Sequence, residues 1–389
     1  MGQAGFRAAL PELPELDNLF APTSVIQAAQ PLAAEAFGAR QTWFLANGST
    51  CGLEAALLAT CRPGEKVIVP RNVHRSVISG LVLCGAMPVY VMPDYRAEWG
   101  IPLAVSAGAI AAALAQHPDT RAVLVVSPTY EGVCADVSTI AALCRTHGIP
   151  LIVDEAHGPH FAFHPALPQP ALAAGADLVV QSAHKVLSAL TQAALLHRGS
   201  DRIDGARLNQ ALQLTQSTSP SYLLLASLDA ARHQMATDGH RLMAQTLALA
   251  HTAADRLAQL APLSVLTGQP LPPGQCWDTT RLTLRVAELG LTGWAADEFL
   301  HSRGVTAELP AAQTLSFIVS LGNTAADLDQ LVTGCQQLCR HSESLPGSPP
   351  PLTDSGRLNS SDPKDILVPD RSPRAAFYAQ TPLSSWEAA

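Results

Sequence analysis

The segment that decides the fold is DLVVQSAHK, residues 177–185. Residues 178–180 are an apolar run long enough for one buried β-strand. Polar and ionisable residues follow at its C-terminal end: Ser182, His184 and Lys185. Because burial disfavours a charged ammonium group, a lysine at the mouth of a buried strand is unusual, and one use for it is attack on a carbonyl group. For Lys185 alone, a side chain that simply reaches solvent is the better interpretation.

A second segment, PLIVDEAH at residues 150–157, favours the chemical interpretation. It is again an apolar strand that ends in an acid, Asp154. Parallel strands deliver their C-terminal ends to the same edge of a sheet, so Asp154 and Lys185 are predicted to meet in one crevice. That pair suits pyridoxal phosphate, because the lysine can hold the aldehyde while the aspartate keeps the ring nitrogen protonated. An ordinary salt bridge is the alternative for Asp154. Glu155, on the other face of the strand, is predicted to be structural.

Several motifs in order carry a resemblance to one family. SAHK (182–185), VDEAH (153–157) and NGST (47–50) together resemble the Orn/Lys/Arg decarboxylase family, of the aspartate-aminotransferase group (fold type I). VVSPTY (125–130) and QSTSPSY (216–222) fit the same family. The resemblance extends over residues 12–340 and a short piece at 366–383. It implies pyridoxal 5'-phosphate (PLP) as cofactor and a homodimer, or a higher homo-oligomer, with shared active sites.

The resemblance implies that five residues hold the cofactor phosphate. Ser49 and Thr50 lie between a strand and a helix, where free backbone N–H groups favour an anion. A helix N-cap is the simpler alternative for either residue. Alternation along an extended segment would put Ser182 and His184 on the same side. Ser217 matches a family position that reaches the phosphate from the neighbouring subunit; a helix-capping serine cluster is an equal alternative.

The resemblance also implies contacts with the pyridine ring. Lys185 would form the Schiff base, and Asp154 would pair with the ring nitrogen. His74, at a predicted helix start, would stack on the ring, with a surface histidine as an equal alternative. Ala156 leaves space for the ring, and His157 would touch the ring oxygen or the substrate carboxylate.

The implied reaction is decarboxylation of arginine, lysine or ornithine to a polyamine-type amine, which makes the protein a lyase. Asp154 would support the ring that accepts the electrons, and Lys185 or His184 would return a proton to the carbon. An apolar pocket around the carboxylate would favour its loss as CO2.

Two other functions stay open. Another fold-type-I enzyme, an aminotransferase or a carbon–sulfur lyase, is the first. A small-domain arginine that grips the α-carboxylate would favour an aminotransferase; Arg281 and Arg285 are candidates, although an ordinary exposed role is expected for both. The second is a truncated, non-catalytic paralogue, because the chain is expected to be short at both ends relative to the family.

Composition narrows the classes of partner. The chain has 389 residues, 48% of them hydrophobic and 14% charged, with a net charge of −8. This balance argues against a nucleic-acid partner. The eight cysteines include no Cys-x-x-Cys pair, which predicts a cytosolic protein with reduced core thiols. There is no signal-peptide pattern, and the most apolar stretch, 101–115, is too short to span a bilayer.

Two further motifs do not indicate a function. DEAH at 154–157 spells a helicase box, but the chain has no Gly-x-x-x-x-Gly-Lys-Ser/Thr loop. His157, His160 and His164 could suggest a metal, but the phenylalanines between them indicate a packed loop, and no metal is expected.

The alternation of strands and helices predicts an α/β protein: a PLP fold type I, mostly parallel, seven-stranded, doubly wound sheet with a smaller α+β C-terminal domain. The predicted divisions are a lead-in and helix (1–40), a large PLP-binding domain (41–250), a small α+β domain (251–340), a linker (341–365) and a remnant of the family's C-terminal domain (366–389). Residues 1–20 are predicted to be extended, and an antiparallel strand is predicted at 192–197.

Overall fold

The computed structural model describes residues 3–10, 13, 16–343 and 366–378. The helices of this part are α1 Gln3–Ala8, α2 Val25–Phe37, α3 Gly48–Thr60, α4 Arg75–Cys84, α5 Ala107–Gln116, α6 Val137–Thr146, α7 Ala183–Val186, α8 Gly205–Thr215, α9 Tyr222–Ala258, α10 Gly293–His301, α11 Ala325–Glu343 and α12 Pro373–Tyr378. The strands are β1 Gln41–Leu45, β2 Lys66–Pro70, β3 Met87–Val91, β4 Tyr95–Arg96, β5 Ile101–Pro102, β6 Thr120–Val126, β7 Val133–Cys134, β8 Leu151–Asp154, β9 Leu178–Gln181, β10 Ala194–Arg198, β11 Ser264–Val265, β12 Cys276–Trp277, β13 Arg281–Arg285, β14 Leu309–Pro310 and β15 Thr314–Ile318.

The large sheet has seven strands in the order β1-β10-β9-β8-β6-β2-β3. Strand β10 runs antiparallel to both of its neighbours, and the other pairs are parallel. The prediction of a mostly parallel, seven-stranded sheet with one antiparallel strand is therefore confirmed.

Helices on both faces explain why the central strands are continuous apolar runs. Ile152 of β8 packs with α3, α4 and α8 on one face, whereas Val153 packs with α5 and α6 on the other. Strand β9 divides in the same way, with Val180 on the first face and Val179 on the second. Because neither face meets water, these strands have no polar side until their C-terminal ends. Polar residues there are free to form a site.

A second, smaller sheet follows the long helix α9. Its four strands are all antiparallel, in the order β11-β13-β15-β14. Helices α10 and α11 and the end of α9 pack against it in a separate apolar cluster. The predicted smaller α+β unit is confirmed.

Four local predictions need correction. Residues 3–8 form α1, where an extended lead-in was predicted. Helix α8 was not predicted, and α11 continues to Glu343, beyond the predicted linker start. Residues 183–186 form one helical turn, so the argument that alternation puts Ser182 and His184 on one side is wrong. The remaining linker, 344–365, and residues 379–389 lie outside the described residues.

The segment 366–378 packs on the large sheet's side of the molecule. Leu367 forms an antiparallel bridge with Tyr90 of β3. Arg374 of α12 donates through Nε to the carbonyl of Val82 in α4 at 2.8 Å. In the described part of the chain, none of the helices is both long and apolar enough to cross a bilayer.

Candidate active site

Strand β8 ends at Asp154, and Lys185 follows the end of the neighbouring strand β9. Asp154 is buried, and its Oδ1 accepts the backbone N–H of Ala156 at 3.2 Å. Burial raises the pKa of Asp154 to about 6, against the opposing effects of that hydrogen bond and of the charge on Lys185. Asp154 and Lys185 therefore lie together at one edge of the sheet, as predicted, and each influences the other's charge.

The amine of Lys185 is held by a histidine. Its Nζ lies 2.8 Å from Nε2 of His157 and 5.5 Å from the ring centroid of Tyr130, which packs on His157 at 4.6 Å between centroids. Burial lowers the pKa of Lys185, while the negative charges of Asp154 and Glu308 oppose that change. Burial also lowers the pKa of His157 well below its usual value, and the charges of Arg281 and Lys185 add to the effect. His157 is therefore neutral near pH 7.

His74 lies beside the same lysine and caps a helix. Its Nδ1 accepts the backbone N–H of Ser76 at 3.2 Å, which begins α4, and lies 2.7 Å from Ser76 Oγ. Burial lowers the pKa of His74, and the charges of Lys185 and Arg75 lower it further. A free surface histidine is thus the wrong interpretation, whereas stacking on a cofactor stays a prediction.

The serines predicted to bind phosphate meet at the start of α3. Ser182 is buried, and its Oγ donates to Ser49 Oγ at 2.9 Å. Helix α3 begins at Gly48, whose φ of 75° favours glycine, and its N-cap is Asn47, which makes no side-chain capping bond. Ser49 and the exposed Thr50 therefore lie inside the first helical turn, so the alternative that either is the N-cap is wrong. Their backbone N–H groups lack helical partners.

His184 and Ser217 have different surroundings. His184 is partly buried, and its Nδ1 donates to the carbonyl of Ala193 at 3.1 Å, which leaves Nε2 for another partner. Ser217 is exposed; its backbone N–H donates to Asn47 Oδ1 at 3.0 Å, beside the loop that carries Ser49. Ser221 caps α9, so the capping alternative applies to a neighbour of Ser217. A partner-subunit role for Ser217 stays a prediction.

Arg281 of the small sheet and Glu308, just before β14, face the site, although no sequence pattern indicated it. Arg281 was expected to be exposed; instead it is fully buried (0% exposed), and its Nη2 lies 3.0 Å from His157 Nδ1 and donates to the His157 carbonyl at 3.1 Å. Glu308 was not considered. It is exposed, and its charge raises the pKa of both Lys185 and His184.

The other histidines of this loop have partners of their own. His160 Nε2 lies 3.3 Å from Asp278 Oδ1, and His164 packs on His240 with 4.6 Å between ring centroids. Across the described ranges, no three His, Cys, Asp or Glu side chains are grouped closely enough to hold a metal ion. Glu155 has the structural contacts that were predicted: it accepts from the Ala171 N–H and from Gln181 Nε2.

Comparison with known proteins decides the family. The model of the Orn/Lys/Arg decarboxylase major domain matches residues 1–280. The chain belongs to this family. An arginine decarboxylase of Bacillus subtilis (strain 168) is 36% identical over 389 residues, covering 98% of this chain and 77% of the relative. An arginine decarboxylase of Halalkalibacterium halodurans is 37% identical over 380 residues, covering 96% and 75%.

Solved structures place this Orn/Lys/Arg decarboxylase family member in PLP fold type I. Lysine decarboxylase A from Pseudomonas aeruginosa superposes with a TM-score of 0.76 and 25% identity, over 87% of this chain and 54% of that one. The chain therefore spans about half of that structure's length. Alanine–glyoxylate aminotransferase from Nostoc sp. shares the fold, with a TM-score of 0.66 and 16% identity over 86% of this chain and 91% of that one.

Proposed function

We propose that the chain is a PLP-dependent decarboxylase of a basic amino acid. One observation carries the proposal: the amine of Lys185, with a pKa lowered by burial, is held 2.8 Å from a neutral His157 in the crevice that contains Asp154. A lysine of lowered pKa is a nucleophile for carbonyl groups, and it is the usual means of holding PLP.

The donor set fits PLP. The hydroxyls of Ser49 and Ser182 and the free N–H groups of α3 suit a phosphate, and His184 would donate through Nε2 when its ring is protonated. A buried carboxylate, Asp154, suits a protonated ring nitrogen. When bound, PLP would supply a ring that withdraws electrons from the substrate's α-carbon.

Each residue then has a task of its own. Asp154 holds the proton on the ring nitrogen, because a carboxylate with a pKa of about 6 is ionised at neutral pH and is stabilised further by a cation. His74 and Ala156 limit where the ring can lie. Lys185 returns a proton to the α-carbon after CO2 has left, and a protonated His184 that is not bound to the phosphate is the second candidate for that step.

A basic substrate is supported by the charge at the site. Glu308 places a negative charge near Lys185 and His184, where it would attract a distal guanidinium or ammonium group. Arginine is the first substrate to test, because relatives that cover most of this chain are named arginine decarboxylases. The two arginines named for the aminotransferase alternative have other partners: Arg281 is fully buried and contacts His157, and Arg285 pairs with Glu288.

Three wider features belong to the same proposal. A homodimer would bring Ser217 of one subunit to the phosphate of the other, and its exposed position supports this. We propose the large domain at 41–250 and the small domain at 251–340, supported by their separate sheets. A location in the cytosol is supported by eight cysteines that are all free thiols, and polyamine synthesis follows from the proposed decarboxylation of a basic amino acid.

The test begins with absorption spectra of the purified chain with added PLP, before and after borohydride reduction, followed by peptide mapping. We expect a visible band and a reduced adduct on Lys185, and none in Lys185→Ala. Release of CO2 from arginine, lysine and ornithine then identifies the substrate. A wild-type chain that takes up no PLP, or that takes it up and releases CO2 from none of the three, contradicts the proposal.

A further inference from the structure

A continuous row of buried polar groups connects Lys185 with the small sheet. His157 Nε2 lies 2.8 Å from Lys185 Nζ, and His157 Nδ1 lies 3.0 Å from Arg281 Nη2. Arg281 Nε then lies 3.5 Å from Asp278 Oδ2. All three residues beyond the lysine are at most 4% exposed. The small sheet therefore contacts the reactive amine through a single histidine ring.

The chemistry of the groups determines where the protons lie. A guanidinium has only donors, so His157 Nδ1 must accept from Arg281. A neutral imidazole carries one proton, which therefore lies on Nε2 and points at Lys185 Nζ. An amine can accept that hydrogen bond only through its lone pair, which an ammonium group lacks.

From this geometry we infer that Arg281 is a positioning residue: it fixes His157 as the Nε2–H tautomer, and that tautomer favours the neutral, nucleophilic form of Lys185. The inference rests on the proposed function, in which Lys185 attacks the carbonyl group of PLP. Arg281 touches neither the reacting atoms nor solvent, so it acts through the ring of His157.

The fold is arranged to bring Arg281 to this position. Gly132 has φ of 89°, and a Cβ at that residue would lie 2.7 Å from both Cβ and Cγ of Arg281. Only glycine therefore lets β13 approach the loop after β6 so closely. Asp278 balances the guanidinium charge and is tied to the same loop, because its N–H donates to the Gly132 carbonyl at 2.8 Å.

A purely structural arginine would need only the carboxylate. Arg281 has Asp278 for that purpose, yet its Nη2 also donates to the His157 carbonyl at 3.1 Å. The bond to the carbonyl holds the His157 backbone, and the bond from Nη2 to His157 Nδ1 holds the ring. Together they fix both the position and the tautomer of the group that contacts Lys185.

The experiment uses the full chain labelled with ¹⁵N-histidine, before PLP is added. Ring ¹⁵N shifts distinguish the two neutral tautomers, and the signal that disappears in His157→Gln assigns His157. In the same samples, acylation of Lys185 by acetic anhydride is followed against pH by peptide mass mapping. The charged or titratable groups that otherwise face Lys185 stay unchanged: Asp154, Glu308, His74, His184 and Tyr130.

We expect the Nε2–H tautomer in the wild-type chain. Arg281→Met should give a mixture of tautomers and move the acylation midpoint of Lys185 to higher pH, and Arg281→Lys, which keeps a charged donor, should partly restore both. Arg285→Met is the matched control, because it removes an arginine from the same strand that pairs instead with Glu288. It should change neither readout.

A wild-type His157 in the Nδ1–H or doubly protonated form overturns the inference, even if Arg281→Met fails to fold. An unchanged tautomer and acylation profile in a folded Arg281→Met chain also overturns it. Neither readout involves PLP or turnover, so failure here is distinguishable from failure of the proposed decarboxylase function, which the CO2 assay measures.

Discussion

Two buried histidines, His157 and His197, belong to hydrogen-bonded chains of very different kinds. His197 of β10 is fully buried; its Nδ1 lies 2.8 Å from Thr42 Oγ1 and its Nε2 lies 3.0 Å from Gln181 Oε1. Gln181 Nε2 donates to Glu155, which also accepts a backbone N–H. This series of hydrogen bonds ends at the backbone N–H of Ala171. The chain through His157 ends at the amine of Lys185.

The comparison shows that a perturbed pKa does not identify a reactive group by itself. Burial lowers the pKa of His197 to about 3 and raises that of Glu155 to about 8. Both groups are buried and hydrogen-bonded to their neighbours. Lys185 and Asp154 have perturbed pKa values too, but they lie where neighbouring parallel strands end, and Lys185 is only partly buried. Position decides which perturbed group does chemistry.

Replacing Lys185, where the hydrogen-bonded chain through His157 ends, should give the largest effect. Lys185→Ala removes the amine that holds PLP, so we expect turnover to fall by about 10⁴-fold or more. Stability should change little, since Lys185 is only partly buried. CO2 release and thermal unfolding measure the two quantities. A Lys185→Ala chain that keeps even a tenth of wild-type turnover would show that this lysine is not the reactive one.

Asp154 and Glu155 are adjacent acids that belong to different sites. Asp154→Asn should lower turnover by about 10²- to 10³-fold, because an amide stabilises a protonated ring nitrogen poorly. Glu155→Gln is the matched control: it should lower the unfolding midpoint and leave turnover per folded molecule near the wild-type value. Equal losses of turnover in both variants would contradict the separation of the two sites.

The hydrogen bonds of His197 should instead control the stability of the fold and its dependence on pH. His197→Leu leaves Thr42 Oγ1 and Gln181 Oε1 without these hydrogen-bond partners, at a cost of about 3 kcal/mol in the free energy of unfolding. In the wild-type chain, folded His197 stays neutral down to a pKa of about 3, whereas unfolded histidine binds a proton below about 6.5. His197 therefore makes the fold less stable as pH falls from about 6.5 to 3.

Urea unfolding at several pH values tests this prediction. The loss of stability on acidification should be less steep in His197→Leu than in the wild-type chain. A variant whose pH dependence parallels the wild type would mean that His197 is not the group that titrates in this range.

The central strands could be predicted closely, because burial on both faces leaves a plain signal. The apolar run at 178–180 lies within the strand Leu178–Gln181, and the strand predicted to end in Asp154 does end there. The acid and the lysine at their ends follow from the rule that parallel strands end at one edge. Composition and motif order were sufficient for the fold class and the family.

Two of the errors share a physical cause, since the placement of Arg281 and Glu308 depends on contacts between residues distant in sequence. Nothing near Arg281 reveals that β13 turns it toward His157, more than a hundred positions away. Glu308 enters through the second sheet, which no local pattern relates to Lys185. His184 was placed by strand alternation, but the chain has already turned into α7 at that point. The alternation of side chains between the two faces of a strand no longer applies once the strand has ended.

The smallest predicted effect compares a hydrogen bond to the buried His197 ring with a side-chain bond to the backbone of the residue's own helix. Thr42→Val deprives His197 Nδ1 of its donor, and a buried acceptor without a partner should cost about 1–2 kcal/mol. Thr60 is buried as well, but its Oγ1 donates to the carbonyl of Ala56 on its own helix, which can keep its helical bond. Thr60→Val, the matched control, should therefore cost clearly less. Urea unfolding of the two variants measures the difference, and equal costs would show that the Thr42–His197 bond has no special weight.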